Sequence, residues 1–221
     1  MKTRKQYRKA ALSSLEGNWT RAVLCTAVYF AVAMGLTSVS YFTPLMGPKA
    51  ALIVLGWNAL AALLLIAPLK NVGLDNAFKD FYRLSDVALT RNMFTYTFRG
   101  WFKGMLTVVL MMLIELVATM MLVVPGIILT FAYVFAPLIL RDNPQMGPVQ
   151  AMKSSRKMMK GHKMELFLLA LSFIGWAFLC VLTAGIGLLW FIPWFETTMV
   201  AYYEDLKTSV QQPVGDIQSQ D

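Results

Sequence analysis

The amino-acid sequence predicts an all-α membrane protein with six transmembrane helices, and three observations support this fold class. Hydrophobic residues make up 57% of the 221 residues, and charged residues make up only 14%. A soluble domain carries about a quarter charged residues, so this chain has too few to cover a water-soluble surface. Several apolar runs approach the roughly 20 residues that a helix needs to cross a bilayer. The alternating pattern of a membrane barrel is absent from the sequence.

The apolar runs define six candidate spans in one polytopic domain, residues 1–206. These spans cover about residues 22–41, 50–69, 104–123, 125–140, 164–183 and 187–203. Short uncharged connections, Val124–Gly126 and Ala184–Gly187, join the third span to the fourth and the fifth to the sixth, which predicts tight helical hairpins. The fourth span is short, so a tilted or partly re-entrant hairpin is an alternative. The polar residues 207–221 are expected to form a disordered cytoplasmic tail.

The basic residues predict the orientation of these spans. Nineteen of the twenty Lys and Arg lie before or at the start of the first span, between the second and third, between the fourth and fifth, or in the tail. Lys49 is the exception. By the positive-inside rule, both termini lie in the cytoplasm. A net charge of +8 would suggest nucleic acid in a soluble protein. Here the topology explains the charge, and no nucleic-acid partner is expected.

Three amphipathic segments precede pairs of spans. Apolar side chains recur at helical spacing in the N-terminal arm, in residues 74–84 and in residues 147–160, with charged side chains between them. Such segments are expected to lie in the membrane plane, with their apolar sides toward the acyl chains. A glycine follows each segment before the next span, at Gly17, Gly100 and Gly161. Glycine permits the backbone conformations that such a turn requires.

The third segment, MKSSRKMMKGHK, has the highest local density of positive charge. Its cations are expected to contact anionic lipid headgroups; they are Lys153, Arg156, Lys157, Lys160 and Lys163. The alternative is a specific pocket for an anionic lipid or a phosphate. His162 has no second histidine with which it could share a metal ion, and no metal site is predicted.

Two acidic residues lie within the predicted spans. Glu115 and Glu196 are each near the middle of an apolar run, where an ionisable group is costly and usually faces the interior of a helix bundle. No Lys or Arg is expected at a comparable depth. Each carboxyl group is therefore expected to be protonated, hydrogen-bonded to polar side chains or in contact with a water-filled cavity. The polar side chains available in the spans are Asn58, Thr119, Thr197 and Thr198. The carboxyl groups either fix the packing of the helices or line a path for a proton, a cation or a small substrate.

No catalytic or cofactor-binding motif is present in the sequence. The HExxH, CxxC, GxxxxGK[ST] and GxSxG patterns are all missing. Cys25 and Cys180 lie inside apolar runs and are interpreted as small core residues. The chain is therefore not expected to be an enzyme, and no cofactor is predicted.

Several short motifs resemble a bacterial integral-membrane family, catalogued as domain of unknown function 975. The matching pieces are Ala11–Trp19, Val124–Ile128, Arg141–Pro144, Ser155–Lys163, Leu171–Trp176, Thr183–Gly187, Leu189–Trp194 and Ala201–Tyr203. Trp194 and Tyr202 stand where Tyr and Phe are expected. The resemblance implies a polytopic protein of the bacterial cytoplasmic membrane, and it implies no activity, substrate or catalytic residue.

Two functional hypotheses follow. The first is a non-enzymatic membrane protein that interacts with lipids or with a membrane partner, which includes a second copy of itself. The second is a small transporter or channel that uses Glu115 and Glu196. A cavity that reaches Glu115 or Glu196 would favour the second hypothesis, and a closed, dry helix bundle would favour the first; whether Glu115, Glu196 and Asn58 converge in space is the most informative observation.

Overall fold

The computed structural model describes residues 2–38, 40, 48–84, 88–121, 123–183 and 185–211, and its regular elements are all helical. The α-helices of this part of the chain are α1 (Arg4–Leu15), α2 (Trp19–Thr37), α3 (Pro48–Ala61), α4 (Asp75–Leu84), α5 (Leu89–Phe98), α6 (Trp101–Met121), α7 (Val123–Tyr133), α8 (Ala136–Asp142), α9 (Pro148–Met158), α10 (Lys163–Leu171), α11 (Ile174–Leu182) and α12 (Leu188–Gln211). Two π-helical segments, Ala62–Ile66 and Leu69–Leu74, lie between α3 and α4. The predicted all-α class is confirmed.

Three helices in the described residues are long and apolar enough to cross a membrane. They are Trp19–Thr37, Ala51–Leu84 and Lys163–Leu182. A fourth candidate consists of Leu89–Phe98 with Trp101–Val117, two pieces that are bent by 82° relative to each other. The first, second and fifth predicted spans therefore correspond to helices of sufficient length, and the third corresponds to α6.

The second of these helices is longer than the sequence predicts. It runs for 34 residues, through both π-helical segments, to Leu84. The predicted amphipathic helix over residues 74–84 is present as α4, but it follows the preceding helix without a break, and its place in the membrane plane stays a prediction. The segment that comes directly before Gly100 is instead α5. Both π-helical segments widen the helix locally without ending it, and neither periodicity nor composition indicates such a continuation.

The ends of the fourth and sixth predicted spans also differ from expectation. The helix predicted over 125–140 is divided into α7 and α8, and the apolar side chains of α8 are buried in the protein core. Val124–Gly126 form the first turn of α7 rather than a turn between helices. The helix α12 continues to Gln211, so residues 207–211 are helical and not part of a disordered tail. Residues 212–221 lie outside the described part of the chain.

The main hydrophobic core joins the amphipathic helices to α12. It contains Tyr7, Ala11 and Leu15 of α1, Phe78 and Phe81 of α4, and Tyr202, Tyr203 and Leu206 of α12, each at most 2% exposed. Met152 and Met159, from the third amphipathic segment, are also buried. Protein therefore covers most of the apolar faces that were expected to lie against acyl chains. Sequence periodicity identifies an apolar face, but it does not show whether lipid or protein covers that face.

The three glycines that were expected to turn the chain do so. Gly17, Gly100 and Gly161 have φ angles of 78°, 91° and 90°, in the left-handed region that other residues rarely adopt. Gly17 lies between α1 and α2, Gly100 between α5 and α6, and Gly161 between α9 and α10. The chain thus repeats one local pattern three times, with an amphipathic helix, a left-handed glycine and an apolar helix.

Large apolar side chains are exposed on the helices that were predicted to span the membrane. Leu52 and Ile53 of α3 are 71% and 73% exposed, and Val181 and Leu182 of α11 are 71% and 68% exposed. Exposed apolar surface of this extent is unusual for a soluble monomer and marks a surface that contacts lipid or protein.

Candidate functional site

A buried ionic cluster lies where the long helix meets α12. Lys70 Nζ lies 3.0 Å from Glu196 Oε1 and 3.2 Å from Asp75 Oδ1. The side chain of Glu196 is 8% exposed and that of Asp75 is 14% exposed. One cation, whose side chain is 37% exposed, therefore stands between two largely buried carboxylates, and its charge compensates part of theirs.

The ion pair corrects the expectation that no Lys or Arg lies at the depth of Glu196. Lys70 directly follows the predicted second span, so the sequence predicts that it lies in the connection to the third span. Because the helix continues through the π-helical segments to α4, Lys70 instead lies within a helix that packs near α12. A cavity of about 50 Å³ adjoins Lys70, Asp75 and Glu196. Its volume suffices for about three water molecules at most.

The hydroxyl groups of the two threonines beside Glu196 donate hydrogen bonds within their own helix. Thr197 Oγ1 donates a hydrogen bond of 2.7 Å to the carbonyl of Pro193, and Thr198 Oγ1 donates one of 2.7 Å to the carbonyl of Trp194. Both side chains are buried. Their hydroxyl groups are therefore satisfied locally and do not bind the carboxylate of Glu196.

Asn58 joins α3 to the end of α2. Its Nδ2 donates a hydrogen bond of 2.6 Å to Ser40 Oγ, and the indole of the neighbouring Trp57 donates one of 2.9 Å to the carbonyl of Leu36. These two contacts fix the relative position of two apolar helices. Asn58 therefore has its partner at Ser40, just after α2, and within the described residues it shares no polar partner with Glu196.

Glu115 lies in a different environment. It is half-buried in α6, and it makes no hydrogen bond or ion pair within the described residues. Thr119, one turn later, is exposed, and its Oγ1 lies beside the backbone of Gly126 in α7. The structure therefore does not join Glu115, Glu196 and Asn58 through any shared partner in the part of the chain that it describes.

A second ionic cluster, which sequence reasoning missed, surrounds Asp142 at the end of α8. Its Oδ1 accepts hydrogen bonds from Lys79 Nζ at 2.9 Å and from Arg83 at 3.3 Å. Its Oδ2 accepts hydrogen bonds from Tyr203 and from Lys207, both at 2.8 Å. The side chain of Lys79 is 1% exposed, and it also donates to the carbonyl of Leu138. One carboxylate thus joins α4, α8 and α12.

The surroundings of Asp142 determine its protonation. Burial acts to raise the pKa of this carboxyl, but the hydrogen bonds and charges of Lys207 and Lys79, together with the Tyr203 hydroxyl, outweigh burial and hold the pKa below its ordinary value. Asp142 is therefore ionised at neutral pH. The only sequence signal for this cluster is the position of Arg141-Asp142 directly after an apolar run.

The cations predicted to contact headgroups line one groove. It has a volume of about 660 Å³, and Lys153, Arg156, Lys157, Lys160 and Lys163 line it together with Gly161 and Met164. No acidic side chain is among these lining residues. The groove lies where α9 ends and α10 begins, at the left-handed Gly161.

The neighbouring histidine faces an acidic side chain. His162 Nδ1 lies 3.3 Å from Glu165 Oε2, and Glu165 also accepts a hydrogen bond from the hydroxyl of Tyr202. Glu165, the acidic residue closest in sequence to the groove, is therefore in contact with Tyr202 and His162. Among the described residues, no group of His, Cys, Asp and Glu has the arrangement of a metal site.

Comparison with known proteins identifies one family. The profile of the family described as protein of unknown function (DUF975) matches residues 87–209, more than half of the chain. No curated protein and no solved structure matches the sequence.

Proposed function

This chain belongs to the DUF975 family, and we propose that it is a non-enzymatic integral protein of the bacterial cytoplasmic membrane that binds anionic lipid headgroups. The observation that carries this proposal is the groove lined by five cations and no acid. Near a membrane surface, each Lys or Arg contributes about 1 kcal/mol of attraction to anionic lipid.

The geometry of α9 supports a role in contact with headgroups. Its apolar face packs on protein through Ala151, Met152 and Ser155, whose hydroxyl donates a hydrogen bond of 2.9 Å to the carbonyl of Ala132. This packing fixes the orientation of the helix, and Lys153, Arg156 and Lys157 remain exposed. The cations are therefore presented by a rigid helix.

The length of the second candidate span supports a position for the membrane. The helix has 34 residues, whereas about 20 residues of helix suffice to cross a hydrocarbon core about 30 Å thick. If the exposed apolar residues that follow Ala51 lie in the hydrocarbon, the core ends near Lys70. The ionic clusters of Lys70 and Asp142 then lie at or beyond the cytoplasmic boundary.

We propose six crossings with both termini in the cytoplasm. The helices α6 and α7 pack against each other, as do α11 and α12. These contacts support the two hairpins that the short connections predict, although α7 alone has 11 residues and would need tilt or a thinned bilayer to cross. Introduced cysteines test the topology in intact cells. Labelling at residue 47 and protection at residue 155 are expected, and the reverse pattern would refute it.

The alternative is a small transporter or channel that uses Glu115 and Glu196. Two observations favour a structural role for these residues instead. Lys70 already compensates Glu196, and the cavity beside this pair is only about 50 Å³. A pathway residue needs access to a continuous polar route, and Glu115 shares no polar partner with Glu196 within the described residues.

Lipid preference tests the proposed function directly. The purified chain is placed in mixtures of phosphatidylglycerol and phosphatidylcholine, and bound lipids are counted by native mass spectrometry. Wild type is expected to prefer phosphatidylglycerol. Lys157→Gln is expected to lower this preference about five-fold, which corresponds to about 1 kcal/mol per cation. The combined substitution of Lys153, Arg156, Lys157 and Lys160 by Gln is expected to remove most of it.

A matched control uses the one basic residue on the other side of the predicted membrane. Lys49→Gln removes the same charge at the start of α3, and it is expected to leave the lipid preference on the cytoplasmic side unchanged. Equal effects of Lys49→Gln and Lys157→Gln would contradict the proposal, because they would show that total charge rather than the groove determines the preference.

A further inference from the structure

A second cavity lies between the long helix, the bend from α5 to α6 and the end of α8. Its volume is about 390 Å³. Val72, Pro137 and Leu140 supply apolar parts of its lining, and Arg99, Lys103 and Arg141 supply cations. No acidic side chain is among its lining residues. A cavity with this composition carries positive charge next to apolar surface.

Arg141 brings a buried hydrogen-bond donor without a partner to this cavity. Its guanidinium carbon lies 4.0 Å from the centre of the Tyr96 ring. Its Nε is buried and has no hydrogen-bond partner among the described residues. A buried donor without a partner is costly, and the cost is greater for a charged group. The hydroxyl of Tyr96 donates to Asp80, which holds the ring in place beneath the guanidinium.

The carboxylate closest in sequence does not compensate Arg141. Asp142 already accepts hydrogen bonds from Lys79, Arg83, Tyr203 and Lys207. Its oxygens are therefore occupied by cations and a hydroxyl on α4 and α12. Within the described residues, no carboxylate lies within ion-pair distance of Arg141.

The other two cations come from the two sides of the bend. Arg99 directly follows α5 as its C-cap residue, and Lys103 lies in the first turn of α6. Gly100, with a φ angle of 91°, lies between them. Lys103 Nζ donates a hydrogen bond of 2.8 Å to the carbonyl of Pro144. An ammonium group has three donors, so two are left for another acceptor. The first amides of α6 have no partner within the helix and add to the positive potential.

We propose that this cavity binds one phosphate group, carried by an anionic lipid or by a soluble phosphate ester. The guanidinium of Arg141 donates to the phosphate oxygens, and the ammonium of Lys103 and the guanidinium of Arg99 compensate its charge. A planar guanidinium suits phosphate because two of its N–H groups can bind two oxygens at once. The apolar lining accommodates the organic group of the ester. This site is separate from the groove at α9 and does not depend on the proposed function of that groove.

Three ligands separate the possible sources of the phosphate. The purified chain in a neutral detergent is incubated with phosphatidylglycerol, with a diacylglycerol of the same acyl chains, or with glycerol 3-phosphate. Native mass spectrometry then measures the affinity and the number of bound ligands. One tightly bound phosphate ester per chain is expected, with diacylglycerol bound at least ten-fold more weakly. Tight binding of glycerol 3-phosphate assigns the site to a soluble ester, and tight binding of the lipid alone assigns it to a headgroup.

Substitutions assign the binding to the cavity. Arg141→Gln is expected to weaken the single tight site at least ten-fold, and Arg99→Gln, at an exposed position, is expected to weaken it several-fold. Arg4→Gln, at an exposed position of α1 that lines neither cavity, removes the same charge and is expected to leave this site unchanged. If Arg141→Gln does not fold, Arg99→Gln decides the result. Wild-type affinity in the folded variants, or diacylglycerol bound as tightly as phosphatidylglycerol, would overturn the proposal.

Discussion

Removal of the Asp142 carboxylate is expected to destabilise the protein more than any other single change in its ionic clusters. Asp142→Asn leaves the ammonium of Lys79, whose side chain is 1% exposed, next to an amide instead of a carboxylate. Breaking a buried pair by removing one partner costs about 3–5 kcal/mol, because the other charge is left buried without compensation. Arg83 and Lys207 are partly exposed, so water compensates part of their loss, and the lower half of this range is expected.

The converse substitution separates this explanation from a general loss of packing. Lys79→Met removes the buried cation, but Asp142 keeps Arg83, Tyr203 and Lys207 as donors. We therefore expect Lys79→Met to cost less, about 1–2 kcal/mol. The double variant is expected to be more stable than the sum of the two single effects predicts, because no deeply buried charge is left unpaired.

Cys25 and Cys180 provide the assay, since both thiols are free and buried. A maleimide dye that fluoresces on reaction with thiols reports thermal unfolding in detergent. For a protein of this size, about 1 kcal/mol shifts the melting temperature by about 2–4 °C. Asp142→Asn is thus expected to lower it by about 6–16 °C. A larger decrease in Lys79→Met than in Asp142→Asn, or strict additivity in the double variant, would refute the reasoning.

Three further predictions concern pH, the acidic residues of the predicted spans and one of the bends. The folded-state pKa of Asp142 is held below its ordinary value of about 3.9. The carboxylate therefore stabilises the protein fully above about pH 4, and this stabilisation is lost as the pH falls further. Between these conditions, the stability of Asp142→Asn should change less with pH than that of the wild type. Glu115→Gln is expected to leave the melting temperature unchanged, whereas Glu196→Gln is expected to lower it because it weakens the pair with Lys70. The transporter would be favoured instead if the wild type conducts protons or cations in liposomes and either substitution abolishes this flux without changing stability. Gly161→Ala is expected to lower the free energy of unfolding by about 1–2 kcal/mol, because the φ angle of Gly161 is 90°. Gly175→Ala, in α11 with open space around the added methyl group, is expected to raise it by up to about 1 kcal/mol. Equal melting temperatures for the two variants would contradict this.

Local patterns in the sequence were sufficient for the helical class, the apolar helices and the glycines at the bends. Apolar composition over about 20 residues is a property of contiguous residues, so Trp19–Thr37 and Lys163–Leu182 are recognisable without any tertiary information. The same holds for Gly17, Gly100 and Gly161, because the change from an amphipathic to an apolar segment is visible on either side of each glycine. The five cations of the α9 groove were likewise identified from one short segment.

Only the tertiary structure shows whether protein covers the apolar face of each helix and which charged side chains form ion pairs, because both depend on contacts between residues far apart in the sequence. Lys70 lies 126 positions before Glu196 in the sequence, and its pairing depends on a helix that continues through two π-helical segments. Asp142 accepts hydrogen bonds from side chains of α4 and α12. No local sequence pattern predicts which distant side chains will donate to a given carboxylate. The apolar faces of α1, α4 and α9 were visible in the sequence, but a face of given hydrophobicity is stabilised equally well by lipid or by protein. Only the packing of these helices around α12 shows that protein covers most of those faces.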